Sequence, residues 1–452
     1  MSSLPGALVA LLLIWGIGFG ATVWLLRRAP SIEFWECAAL SWFLGTAIFS
    51  LSLWCLSFFL RGVGLQIGVT FAALAIAIWG SAEIRARRHQ IHCALPKSRI
   101  EVILATVLCL ELAVVIYLSL KNMLGWDGLL IWELKARCAY LNGGALPTAY
   151  FADASRRFSH PEYPLFLPLN ETWLYLWMGE CNQYWVKLLF PIFYGAGIIL
   201  IARAAIDLTS KRWIGLLVAT LFIFVPSIHG GAGSALTGYV DVPLGLFYLG
   251  TLHYLFTFIR KNSNAALGFF ITLNSALPWI KREGVILWAV AGCCGGYAIW
   301  KRRGFAHALA SFIPGVCVSL GFRLYLHYVH ASSPVDFVPV SFHALCSHLG
   351  RSATILRELF YEASRMDHWS VFWFITVLGL FCLLARNRVR YAGMLFMFMA
   401  VPLVLYCSTY FFSAWPDYIE HIESSLPRLL VQLYPTAWLV IAAAIAPRDR
   451  AV

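Results

Sequence analysis

Apolar runs of about 20 residues, the length that carries a helix across a bilayer, recur along nearly the whole chain, and they constrain its fold more than any other feature. Candidate spans fall at 6–26, 34–60, 63–80, 100–120, 184–203, 213–229, 240–259, 265–280, 285–300, 305–328, 370–385, 391–411 and 428–446. The expected fold is therefore an all-α polytopic membrane protein with about thirteen transmembrane helices. Hydrophobic residues make up 60% of the 452 and charged residues 12%, which excludes a soluble fold and a disordered chain. In a soluble domain the net charge of +12 would suggest nucleic acid. Here too little polar surface remains between the apolar runs to carry such a footprint, so no nucleic acid is expected as a partner and membrane lipids are. The first run follows MSSLPG, without a basic stretch before it or a small-residue cleavage site after it, so a cleaved signal peptide is not expected.

The basic excess instead reports orientation, because Lys and Arg are retained on the cytoplasmic side. If linker 81–99, with Arg85, Arg87, Arg88, Lys97 and Arg99, lies inside, alternation also brings in Arg27 and Arg28; Arg203, Lys211 and Arg212; Arg260 and Lys261; Lys301, Arg302 and Arg303; Arg386, Arg388 and Arg390; and Arg448 and Arg450. That accounts for 20 of the 34 basic residues and predicts an N-out, C-in topology. Two long segments, 121–183 and 329–369, then face outside, with shorter ones near 229–239, 281–284 and 412–427. The first is too long for a mere connector and is where chemistry is expected. No CxxC, HExxH, Gly-rich phosphate loop or GxSxG motif occurs. Most of the 12 cysteines lie in apolar runs. Cys138 and Cys181 share the first outer loop, and pairing or two free thiols both remain open.

Within that loop, Asp127 follows Trp126 directly after a span. It reads either as a cap for the stretch LLIWELKARCAYL or as a catalytic acid. The stretch itself is amphipathic, with Trp132 opposite Lys135, and suits an interfacial helix. Lys135 either snorkels to headgroups or binds an anionic ligand. In His160–Asn170, three prolines enforce an extended path until after Pro168 and position His160 and Tyr163. Asp241, the hairpin Lys281-Arg282-Glu283, and His421 with Arg428 reach the same side. Ionisable residues at or inside the membrane are costly and mark sites or paired partners. Together they predict a cleft for an anionic, phosphate-bearing molecule, and ordinary interfacial salt bridges are the plainer reading of each one alone.

Trp126-Asp127 after a span, the amphipathic stretch in a long outer loop, Tyr163-Pro164-Leu165, Asp241-Val242-Pro243 and Lys281-Arg282-Glu283-Gly284 together resemble the integral-membrane glycosyltransferases of the GT-C superfold. The likeness is to the bacterial branch related to protein O-mannosyltransferases and to the lipid A aminoarabinose transferase. It covers roughly residues 100–300, making 1–99 an N-terminal three-helix addition and 301–452 a C-terminal region with outer loop 329–369. The resemblance implies a bacterial inner-membrane enzyme that moves a sugar from a polyprenyl-phosphate donor to a hydroxyl on a lipid, glycan or protein. It implies Asp127 as catalytic base and Lys281, Arg282 and Arg428 as donor-phosphate ligands. Asp241, Lys135, His160, Tyr163, Trp126, Trp132, Glu283 and His421 would bind substrate. Asp127 lacks the acidic neighbour that a hard-cation site needs, so no metal or other cofactor is expected. A transporter or flippase, and a polymerase or ligase of lipid-linked saccharides, are the competing readings; the first predicts internal repeats, which the sequence does not display.

Overall fold

The structure, a computed structural model, describes residues 3–447 apart from 28, 30, 88–90, 333–335, 387 and 388. Arg28, Arg88, Arg388, Arg448 and Arg450 of the orientation argument lie outside the described residues. The first four long helices are α1 (Leu4–Leu26), α2 (Phe34–Leu56), α3 (Gly62–Ala86) and α4 (Arg99–Lys121). Short helices α5 (Leu134–Leu141), α6 (Thr148–Ala152), α7 (Phe166–Met178) and α8 (Gln183–Val186) fill the first long loop. Then come α9 (Leu189–Thr209), α10 (Arg212–Ile223), α11 (Asp241–Lys261), α12 (Asn264–Ile280), α13 (Gly284–Arg303) and α14 (Phe305–Tyr328). The second long loop holds α15 (Phe342–Ser347), α16 (Ser352–Ser364) and α17 (Met366–Trp369), and the chain closes with α18 (Phe372–Ala385), α19 (Val389–Ser408) and α20 (Tyr418–Ile445).

Ten helical stretches among the described residues are long and apolar enough to cross a membrane: α1 to α4, Gln183–Thr209, α11, α13, α14, Ala392–Phe412 and α20. The other three predicted spans are also helical, but α10, α12 and α18 have only 12, 17 and 14 residues. Local signals explain several boundaries. Ser98 caps α4, its hydroxyl accepting from the Glu101 N–H, while the Glu101 carboxylate accepts from the N–H of Lys97 just before the cap. Helix α7 starts at Phe166 and not after Pro168 as expected, since a proline in the first turn has no partner to lose. The last span is longer than the expected 428–446, because α20 runs through Pro427 and Pro435 from an Asp417 cap.

Helix α11 is buried from Asp241 to Ile259, packed against α9, α12 and α20, whereas α3, α4 and α14 present mostly exposed apolar surface. Close crossings bring the backbone of α11 against its neighbours. A Cβ at Gly245 would stand 2.7 Å from the Gln432 carbonyl, so the α11–α20 crossing requires glycine there, one turn from Asp241. At Gly284 a Cβ would meet the Leu277 carbonyl at 1.9 Å, which is how α13 folds back on α12 and pinches Lys281, Arg282 and Glu283 into a three-residue hairpin. Helices α1 and α2 pack directly on α7 and α12, and α2 also on α9.

Candidate functional site

Asp127 owes its position to two glycines. The Gly125 N–H donates to the Thr237 carbonyl at 2.8 Å, and a Cβ at Gly128 would collide with that same carbonyl at 2.4 Å. Segment 125–128 therefore lies flat against segment 237–239, and the Asp127 N–H donates to the Tyr239 hydroxyl at 3.1 Å. Asp127 does not cap the helix that follows, contrary to one of its expected roles. Its backbone is already helical and its side chain makes no cap bond, because the carboxylate turns to Arg428. A π-helical turn, Gly128–Glu133, follows immediately, a conformation common beside functional sites.

Arg428 is the hub. Its Nη2 lies 2.6 Å from Asp127 Oδ2 and 3.4 Å from Asp241 Oδ2, and its guanidinium sits over the Tyr239 ring at 4.8 Å. Two acids 114 positions apart in sequence thus share one cation. Asp241, fully buried at the start of α11, also accepts through Oδ1 from Lys281 Nζ and from Gln432 Nε2, each at 2.7 Å. Lys281 in turn contacts Glu283 Oε1 at 3.0 Å. Arg428 and Gln432 stand one turn apart on α20, and His421 lies on the same face two turns earlier, its Nδ1 2.8 Å from the Ser413 hydroxyl and its ring stacked on Trp415.

These groups border a cavity of about 600 Å³. Asp127, Lys281, Arg282, Glu283, His160, Tyr163, His421, Arg428 and Trp126 all line it, the last 70% exposed at its rim. Asp241 lies beneath, as the buried acid that fixes Arg428 and Lys281. Trp132 and Lys135 do not line it. Both are fully buried, so the two side chains expected to face headgroups and lipid pack inside the protein, with α5 against α7. Lys135 does not snorkel: Nζ donates to the His160 carbonyl at 2.6 Å and lies 5.4 and 5.6 Å from the centres of the Trp132 and Tyr163 rings. Burial lowers its ammonium to about 7, against the opposing pull of Glu162 and Asp127. Its place is behind the site, where it holds the backbone of His160 in a left-handed conformation and His160 stacks on Tyr163. Burial, reinforced by Glu283, raises the Tyr163 phenol, which stays protonated.

Sequence reasoning missed Tyr239, Gln432, Arg323, Asp336 and Phe337. Gln432 and Arg323 carried a usable signal, a polar side chain inside an apolar run. Tyr239, Asp336 and Phe337 carried none. Cys138 and Cys181 are both free thiols, each half-buried. Among the described residues no three His, Cys, Asp or Glu side chains converge as a metal-ligand group. Comparison with protein-family models, with curated proteins and with solved structures gives no match to this chain.

Proposed function

We propose that the protein is a membrane glycosyltransferase that moves a sugar from a polyprenyl-phosphate donor to an acceptor hydroxyl at the outer face of a bacterial inner membrane. The observation that carries this reading is the shared Arg428 hub, which sets a carboxylate with one engaged oxygen, Asp127, at the wall of a membrane-end cavity. Asp127 Oδ1 makes no hydrogen bond among the described residues, which leaves it to accept the acceptor hydroxyl's proton. The acceptor oxygen bonds to the anomeric carbon as the bond from that carbon to the phosphate oxygen breaks, and the electron pair leaves with the phosphate. Attack opposite the leaving group inverts the anomeric centre. Cations in the cavity meet the growing phosphate charge. The proposed reaction is metal-independent because the acids that would ligate a cation already accept from Arg428, Lys281 and Gln432. The thirteen-span topology, N-out and C-in, belongs to the same proposal, with α10, α12 and α18 completing the crossings.

The test is transfer of labelled sugar by purified protein in nanodiscs. Asp127→Asn is expected to insert and fold normally and to lose transfer; near-normal transfer by that variant contradicts the assignment of the base. His421 and Arg428 on one face of α20 favour a second reading, a polymerase or ligase that uses a diphosphate donor. Transfer from a diphosphate-linked but not a monophosphate-linked donor selects it. Topology has its own check in single-cysteine variants retaining Cys346 or Cys93, both exposed thiols. An impermeant reagent applied to intact cells is expected to label Cys346 and spare Cys93, and the reverse pattern inverts the orientation.

A further inference from the structure

The cavity's cations fall into two groups. Arg428 and Lys281 are consumed by three carboxylates, Asp127, Asp241 and Glu283, at 2.6 to 3.4 Å. A phosphate drawn to either would have to displace a buried carboxylate. Arg282 and Arg323 are different. Arg282 is about half exposed, its nearest carboxylate is Glu162 at 3.9 Å, and its guanidinium lies over the Phe337 ring at 5.1 Å. Arg323 lines the same cavity, is exposed, and forms no ion pair among the described residues. It belongs to α14, a helix long and apolar enough to span the membrane. Three residues before it stands Leu320 and directly after it Leu324, 52% and 58% exposed, and Leu309, Ile313 and Val316 continue the exposed apolar stripe. An unpaired guanidinium in such a helix is costly, most so at the bilayer centre and less towards the surface, and it marks a site for an anion. Planar guanidinium groups also hold phosphate oxygens two at a time.

We propose that Arg282 and Arg323 recognise the phosphate of an amphiphile whose apolar chain lies along the exposed stripe of α14. The phosphate then reaches the cavity sideways, from the bilayer. Lys281 and Arg428 act as positioning residues that hold the two acids. The inference rests on the glycosyl-transfer reading only for what the phosphate carries.

The experiment measures binding of a polyprenyl monophosphate bearing no sugar to the full chain in neutral-lipid nanodiscs, by native mass spectrometry. Arg323→Gln and Arg282→Gln are each expected to weaken binding at least tenfold, with Arg323→Lys recovering part of the loss. The parent polyprenol and inorganic phosphate are expected to bind far more weakly than the lipid phosphate. Unchanged affinity in both glutamine variants overturns the assignment, and inorganic phosphate binding as tightly as the lipid overturns the amphiphile. Asp127→Asn separates the two claims, since it is expected to bind the lipid phosphate normally while failing to transfer sugar. Arginine-dependent binding without any sugar transfer by the unaltered protein would defeat the transferase reading and leave this one standing.

Discussion

The two ends of α11, about 30 Å apart, both bring carboxylates to cations, and they do so to different effect. At its C-terminal end Arg203 contacts Glu36 at 3.1 Å and Asp207 at 2.7 Å, Tyr254 donates to Glu36, and Arg260 donates to the Asp207 carbonyl. Arg302 and Arg386 likewise end on backbone carbonyls of α11 and α20, and Arg212 on those of Ala94 and Leu95 in the segment before α4. These cations tie helix ends together, and none of them lines the large cavity. At the N-terminal end Arg428 and Lys281 hold their acids at the edge of an open space about 600 Å³ in volume, with two further arginines left over. Buried ion pairs alone therefore do not mark a site. What distinguishes the N-terminal end is a carboxylate with a free oxygen, Arg282 only loosely paired with Glu162, and Arg323 with no ion pair among the described residues, all lining one space with room for a ligand.

The sharpest way to break this contrast is to neutralise one acid at each end. Asp127→Asn is expected to lower kcat by at least about a hundredfold, the usual contribution of a general base. Asp207→Asn is expected to leave kcat unchanged and lower only thermal stability; equal losses in both would erase the distinction. Next in size is Arg428→Met, which strands two acids and should cost about 3–5 kcal/mol of stability in detergent unfolding. Asp241→Asn in the same chain should recover part of that loss, a coupling that a double-mutant cycle reads directly.

Smaller effects test what surrounds the hub. Tyr239→Phe leaves the Asp127 N–H without its acceptor and should cost about 1–3 kcal/mol, with a measurable drop in turnover as Asp127 shifts. Lys135 supplies a pH signature. Its folded-state value of about 7 lies below the ordinary lysine value, so from pH 7 upwards the unfolded chain holds a proton that the folded protein has released. Stability is therefore expected to rise with pH above 7 until the unfolded lysine also titrates. Lys135→Met should flatten that rise in thermal melts taken across the window, and an unchanged slope would show that Lys135 is not its source.

Much of this was legible in the residues themselves. Hydropathy located every long apolar helix, because a span must satisfy its own backbone and so writes its length into the sequence. Proximity to the ends of those spans picked out Asp127, Asp241, Lys281 and Arg428, which do meet. The division of labour among them was not legible. Whether a lysine binds a ligand or neutralises an acid depends on which helix end it faces, and that is settled by crossings such as Gly245 on Gln432 that sequence spacing does not reveal. Lys135 was misplaced for a related reason: an amphipathic stretch looks the same whether its polar face meets headgroups or the carbonyl of His160. Arg323 carried a clear signal, a charge inside an apolar run, which gained meaning only once its helix was seen to border the cavity.

In the proposed reaction the lipid-linked sugar reacts in the space between Asp127, Arg428 and α14. The most direct measurement is a density map of the Asp127→Asn protein in a nanodisc with a polyprenyl-phosphate sugar bound. The phosphate is expected beside Arg282 and Arg323, the anomeric carbon turned towards residue 127, and the isoprenoid chain along the exposed side of α14. A donor bound at the Arg203 end of α11, or a cavity left empty at saturating donor, would contradict this placement.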